Sequence, residues 1–113
     1  MVNNYIWITT QFAGVHSYID APEEVAFLRN EHRHIFHARV YIEIFHDDRD
    51  IEFILFKRFV ESLIIKSDFD YMSCEMISDE LALKIKEKYT DRRIIIEISE
   101  DGENGSRKEY EII

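Results

Sequence analysis

The sequence predicts an α+β domain in which a four-stranded antiparallel sheet carries two helices on one face, in the order strand, strand, helix, helix, strand, strand. Three observations predict it. Apolar residues alternate with period two in two segments near the start and two near the end, and helical spacing fills the stretch between them. The 113 residues hold only 3 Gly and 1 Pro, with 46% hydrophobic residues, which suits one domain over residues 1–113 rather than two units joined by a linker.

Tyr5 to Phe12 is rich in β-branched and aromatic residues, with Ile6, Ile8, Thr10 and Phe12 on one side and Tyr5, Trp7, Thr9 and Gln11 on the other, which predicts the first strand. Gly14 to Asn30 loses that period and contains the single proline, so it reads as a long connection with one helical turn at Pro22 to Leu28. His34 to Phe45 places Phe36, Ala38, Val40, Ile42 and Ile44 against His37, Arg39, Tyr41 and Glu43, a half-buried second strand. Asp47, Asp48, Asp50 and Glu52 then form a solvated turn with Asp50 as a candidate helix cap.

Ile51 to Ile65 has helical spacing, and Phe53, Phe56 and Phe59 widen its apolar face, which predicts a helix buried on more than one side. Cys74 to Tyr89 spaces Ile77, Leu81, Ile85 and Tyr89 four apart behind a Ser73 cap. Arg93 to Ser99 turns Ile94, Ile96 and Ile98 inward. Two turn signals in Asp101 to Gly105 lead to a hairpin partner at Lys108 to Ile113. Four strands leave two edges, and an Ile-rich edge, as at Ile94 to Ile98, is commonly satisfied by another copy, so a homo-oligomer is expected, the alternative being a monomer whose edges are blunted by Arg92, Arg93, Lys108 and Glu109.

Charge narrows the partners. With 23 Asp+Glu against 14 Lys+Arg the formal charge is −9, and no basic stripe can neutralise a run of phosphates, so neither nucleic acid nor a membrane surface is an expected partner. The single cysteine, Cys74, excludes an intrachain disulfide and suits a reducing compartment. No leader pattern or long apolar stretch is present, so a cytoplasmic location is expected.

The histidines carry the chemistry. His32 and His34 are two apart at the entry of the second strand, so they project from one face about 6.5–7 Å apart. His16, just after the first strand, comes beside them if the two strands form a hairpin. Three neutral imidazoles with an open fourth position are the donor set of a catalytic or ligand-binding zinc site. The same spacing also fits ordinary surface histidines near strand ends, and His37 has the wrong parity to join the set.

With these residues in place, the sequence resembles the 6-pyruvoyl-tetrahydropterin synthase and 6-carboxy-tetrahydropterin synthase family, over nearly the whole chain. Phe12-Ala-Gly-Val-His16 is similar to the family's Phe-x-Ala-Ala-His, and His32-Arg-His-Ile-Phe36 to its His-Gly-His-x-Tyr/Phe. The resemblance implies the tunnelling fold and zinc held by His16, His32 and His34. Ser73-Cys-Glu75-Met is similar to the family's Pro-Thr-x-Glu-Asn, and Ile96-Glu-Ile-Ser-Glu100 to the strand whose terminal Glu anchors a pterin or purine edge. Ser73, Glu75 and Glu100 are therefore the expected ligand-binding residues, although Glu75 also fits a helix-dipole partner and Glu100 a solvated turn residue.

The departures bear on reactivity. The family's catalytic cysteine corresponds to Leu28, its Asp-His pair falls near Asp68 and Phe69, and Arg33 replaces the glycine between the zinc histidines. The remaining acid/base candidates are His37, Asp68 and Asp70, while Cys74 reads as a small packed residue. The expectation is a zinc-dependent lyase-like enzyme of the pterin-synthase type, acting on a pterin, purine-derived or deazapurine-precursor substrate with an altered acid/base set. Its alternatives are a module that binds a pterin or purine nucleotide without turnover, and an assembly component with vestigial histidines.

Overall fold

A computed structural model describes residues 2–112 and contains four strands, β1 (Asn4–His16), β2 (His32–Ile44), β3 (Ile94–Glu100) and β4 (Asn104–Tyr110), with helices α1 (Phe53–Leu63) and α2 (Cys74–Lys88) between β2 and β3. The sheet order is β1-β2-β3-β4 and every neighbouring pair is antiparallel, the α+β layout that the alternation predicts. A 3-10 segment, Glu23–Arg29, lies in the long connection where a helical turn is expected.

β1 and β2 form a hairpin whose register runs from Asn4 opposite Ile44 to His16 opposite His32. Both strands run further toward the connection than their apolar alternation indicates, because the residues on the core face there are Gly14, His16, His32 and His34 instead of aliphatic ones. Gly14 is required by space. A Cβ at this position would stand 2.6 Å from the Phe69 ring and 2.9 Å from Phe36. Residues 67–70 run beside the end of β1, with Val15 N–H donating to Ser67 O at 2.9 Å and Phe69 N–H to Val15 O at 2.8 Å, which drives Phe69 into the core.

The core lies between the sheet and both helices. Phe36, Val40, Ile42, Ile94, Ile96 and Ile98 supply the sheet side, and Phe56, Val60, Ile77, Leu81 and Ile85 the helix side. α1 differs from the expectation of burial on several sides: Phe53, Ile54 and Leu55 are 55%, 53% and 61% exposed, because only the Phe56–Val60 stripe meets the sheet. Its cap is Glu52, which accepts from the N–H groups of Ile54 and Leu55, not Asp50. Asp50 instead accepts from Phe45 N–H and from Arg92 Nη1 at 2.7 Å, and the Arg92 guanidinium covers the Phe45 ring. α2 is capped by Ser73, whose hydroxyl accepts from Met76 N–H.

The β3–β4 turn is tighter than the two turn signals imply. Asp101, Gly102 and Glu103 make it alone, with Asp101 and Gly102 both at positive φ. Asn104 and Gly105 already belong to β4, which starts before the expected Lys108 and ends at Tyr110. The expected end at Ile113 lies outside the described residues. Among the described residues, no helix is long and apolar enough to cross a membrane.

Candidate metal centre

The core face of the sheet changes character at the end where the β1–β2 connection begins. Along β1, Phe12 is followed on the same face by Gly14 and His16, and along β2, Phe36 is preceded by His34 and His32. Period-two geometry therefore stacks three imidazoles directly above the buried Phe36 ring, whose centroid lies 5.3 Å from that of His16 and 5.8 Å from that of His34. Glu100 ends β3 opposite Phe36, with the parity of Ile94, Ile96 and Ile98, so its carboxylate joins the same group. One ligand atom from each of His16, His32, His34 and Glu100 lies within 4.8 Å of every other, and together the four can hold a metal ion.

Hydrogen bonds set the orientation of each ring. His16 Nδ1 lies 2.8 Å from Met72 O, and His32 Nδ1 lies 2.8 Å from Asn30 O. A carbonyl oxygen only accepts, so both rings carry their proton on Nδ1. His34 Nδ1 lies 2.7 Å from Asp101 Oδ2. The hydrogen bond from His34, and then the one from Ile35 N–H, hold the Asp101 carboxyl below the usual carboxylate range, so it too is an acceptor. With Nδ1 engaged in each ring, Nε2 is the nitrogen left for the cluster. Acceptors at Nδ1 of this kind orient the rings of metal-binding histidines.

Two of these nitrogens face only Glu100. Among the described residues, His16 Nε2 and His34 Nε2 are buried without a hydrogen-bond partner, yet Glu100 Oε2 stands 2.9 Å from the first and 3.3 Å from the second. A carboxylate oxygen at such distances from two ring nitrogens needs positive charge between them, and a metal cation shared by the group supplies it. The donor set therefore fits a metal. Glu100, expected as an anchor for a ligand edge, stands both in this cluster and at the wall of the adjoining cleft.

An open cleft of about 760 Å³ lies beside the cluster, reached by His16, His32 and Glu100 and walled by the connection after β1 and the start of α2. Ser73 and Glu75 line it, Ser73 with its hydroxyl already engaged as the α2 cap and Glu75 exposed. Leu28 lines it as well, so the position that the resemblance matches to a catalytic cysteine presents an aliphatic side chain. Cys74 is buried at the cleft wall. Burial first, and then the charges of Glu100 and Glu75, push its thiol up to about 12, which leaves it protonated and packed at neutral pH.

The three acid/base candidates do not reach this cleft within the chain. His37 has the opposite parity to His34 and Phe36, so it lies on the outer face of the sheet, in a separate groove with Arg39 and Glu97. Asp68 and Asp70 line another cleft, with Lys66 and Asp79, because residues 67–70 are held by pairing with β1 and aim Phe69, not its neighbours, into the core. The sequence reading gives Asp101 to the hairpin turn, with no link to His34, which it holds, and assigns no role to Tyr18, Asp20 and Tyr71, which line the cleft. For Asp101 the available signal is its place directly after Glu100. For the others, the signal is a long connection whose two ends are both metal-ligand candidates.

No protein-family model matches the chain, and no curated protein matches it.

Proposed function

We propose that this chain is a divergent, zinc-dependent relative of the 6-pyruvoyl- and 6-carboxy-tetrahydropterin synthases, taking a pterin, purine-derived or deazapurine-precursor molecule in the cleft beside His16, His32 and His34. The observation that carries this reading is the convergence of three imidazoles, each held through Nδ1, with the Glu100 carboxylate, beside an open cleft that His16, His32 and Glu100 line. Nitrogen-rich donor sets of this kind favour zinc over the oxygen-seeking magnesium and calcium. Bound there, zinc supplies a Lewis acid toward a heteroatom of the ligand. The chain's own residues do the rest: Met72 O, Asn30 O and Asp101 fix the rings, Glu100 closes the donor set, and Tyr18 and Tyr71 offer faces for a flat heterocycle.

A second reading, binding without turnover, is favoured by the placement of His37, Asp68 and Asp70 away from the cleft and by the buried, protonated Cys74. In either reading we keep a cytoplasmic homo-oligomer as the proposal, but not on the edge first expected to carry it: the Ile-rich strand β3 is paired on both sides, by β2 and β4, and the open edges are β1 and β4.

Metal content of untagged protein tests the reading, with wild type compared against His34→Ala. The expected result is about one zinc per chain in wild type and loss in the variant. Wild type that stays free of zinc after supplementation overturns it. Product formation from pterin and purine substrates by the zinc-loaded protein then separates turnover from binding, and light scattering of the same samples reads the oligomeric state.

A further inference from the structure

We propose that the groove on the face of the sheet opposite the helices is a binding site for a small oxyanion, a carboxylate or a phosphate group, received by the Arg39 guanidinium with His37 beside it. The metal centre lies on the other face of the same strands and takes no part.

Register sets the position. Strands β1 to β4 bring Thr9, Arg39, Glu97 and Arg107 level in one row across the sheet, and His37 stands in the next row between Gln11 and Ser99. Their sequence neighbours Ala38, Val40, Ile96 and Ile98 are buried in the core, so both rows stand on the outer side. An open groove of about 570 Å³ lies over them, within the range of small-molecule sites.

Charge gives the sign of the occupant. In a chain of net charge −9, this groove is lined by two arginines and by one carboxylate, Glu97. That carboxylate accepts from Arg107 Nη1 at 2.9 Å and stops 3.9 Å from Arg39 Nε, too far for a hydrogen bond. Among the described residues, no other carboxylate pairs with Arg39. The Tyr41 hydroxyl beside it adds no negative charge at neutral pH. The Arg39 fork therefore keeps donors for an oxyanion, which such a fork receives through two parallel N–H···O bonds.

Aromatic rings fix the guanidinium planes. Arg39 lies over the Trp7 ring, 4.7 Å from its centroid, and Arg107 over Tyr41 at 5.5 Å. A stacked guanidinium holds its position while its edge N–H groups stay free. His37, with the Gly102 turn beside its ring, has no hydrogen-bond or ion-pair partner among the described residues and lines the same groove. Thr9, Gln11 and Ser99 add neutral hydroxyl and amide donors around it.

Trp7 is the single tryptophan, so its emission reports on the cation stacked over it. Untagged protein is titrated with inorganic phosphate and with acetate, against sodium chloride of equal ionic strength. A saturable change is expected with the two oxyanions and not with chloride, matched by shifts of the backbone amides of residues 37–39 in heteronuclear spectra. The tighter of the two anions distinguishes a phosphate ligand from a carboxylate one. In the same spectra Arg39→Gln is expected to weaken binding at least about tenfold, and Glu97→Gln, which removes the competing carboxylate, to tighten it about two- to fivefold. His34→Ala is expected to keep the wild-type response. Absence of a saturable change with either oxyanion, by both readouts, overturns the proposal, as does an equal response to chloride. An unchanged affinity in folded Arg39→Gln overturns it too, and loss of the response in folded His34→Ala would move the anion to the metal centre. Weaker binding by Glu97→Gln overturns the role of Glu97 as competitor. Zinc content of the same samples, read separately, decides the fate of the metal centre whichever way the groove behaves.

Discussion

Asp101 holds His34 through a single hydrogen bond to Nδ1, and the same carboxylate receives Ile35 N–H at 2.8 Å. Its replacement by Asn keeps the size and one acceptor but removes the charge that fixes the ring. Asp101→Asn is expected to weaken zinc binding by about 10–100-fold in chelator competition, without unfolding the chain. Gly14 makes a steric claim of the same local kind. A methyl group there meets two buried phenyl rings, so Gly14→Ala is expected to cost about 1–3 kcal/mol in urea unfolding, the range for overpacking a filled core. Retention of wild-type stability would mean that Phe69 is free to move away.

Helix α2 shows which features of an element are legible before its surroundings are known. Ser73 as cap and the Ile77, Leu81, Ile85 stripe are local matters of spacing, and they stand as read. The expected contrast follows: Ile85→Ala, at a fully buried position, costs about 2–5 kcal/mol, whereas Leu83→Ala, 70% exposed, falls within about 0.5 kcal/mol of wild type by the same denaturation measurement. For α1 the apolar period is present, but the period does not say how many neighbours an element has, and only one side of α1 meets the sheet. The strands behave alike. Strict alternation in β2 gives the face of every residue from Phe36 to Ile44 and puts His37 on the outside. Carried back from Phe36 the same parity groups His34 with His32, as their spacing indicates, whereas Gly14 gives no marker of the face it continues. Asp68 and Asp70 were beyond local reading because their direction is set by pairing between residues 67–70 and β1, a contact distant in sequence.

At the scale of the molecule, the acidic composition is partly organised into ion pairs with a definite pH signature. The Arg92 side chain, and then Phe45 N–H, hold Asp50 below the usual carboxylate range. Lys108 and then Tyr110 do so for Asp79, and Lys66 chiefly for Glu80. Each of these groups binds its proton less tightly folded than unfolded. Their stabilisation is therefore complete above the unfolded carboxylate range and is lost as pH falls through the depressed folded values. The urea midpoint is expected to hold steady on acidification toward about pH 5 and to drop below about pH 4, with Arg92→Gln reducing the drop. A midpoint that rises on acidification would show that repulsion among the unpaired carboxylates outweighs these pairs.

The register of the long hairpin has a consequence for the wall of the cleft. His16 and His32 face each other across β1 and β2, and the whole connection from Ser17 to Glu31 is strung between them. An ion shared by these two rings is a cross-link at the neck of that excursion, comparable in topology to a disulfide but reversible by a chelator. The exposed Arg29, within the excursion, becomes a reporter of the knot: trypsin is expected to cut after it faster once zinc is stripped by chelation, while cleavage at Lys57, on the exposed side of α1, keeps its rate. Occupancy of the centre would then govern not only what the cleft binds but whether one of its walls survives in a protease-rich setting.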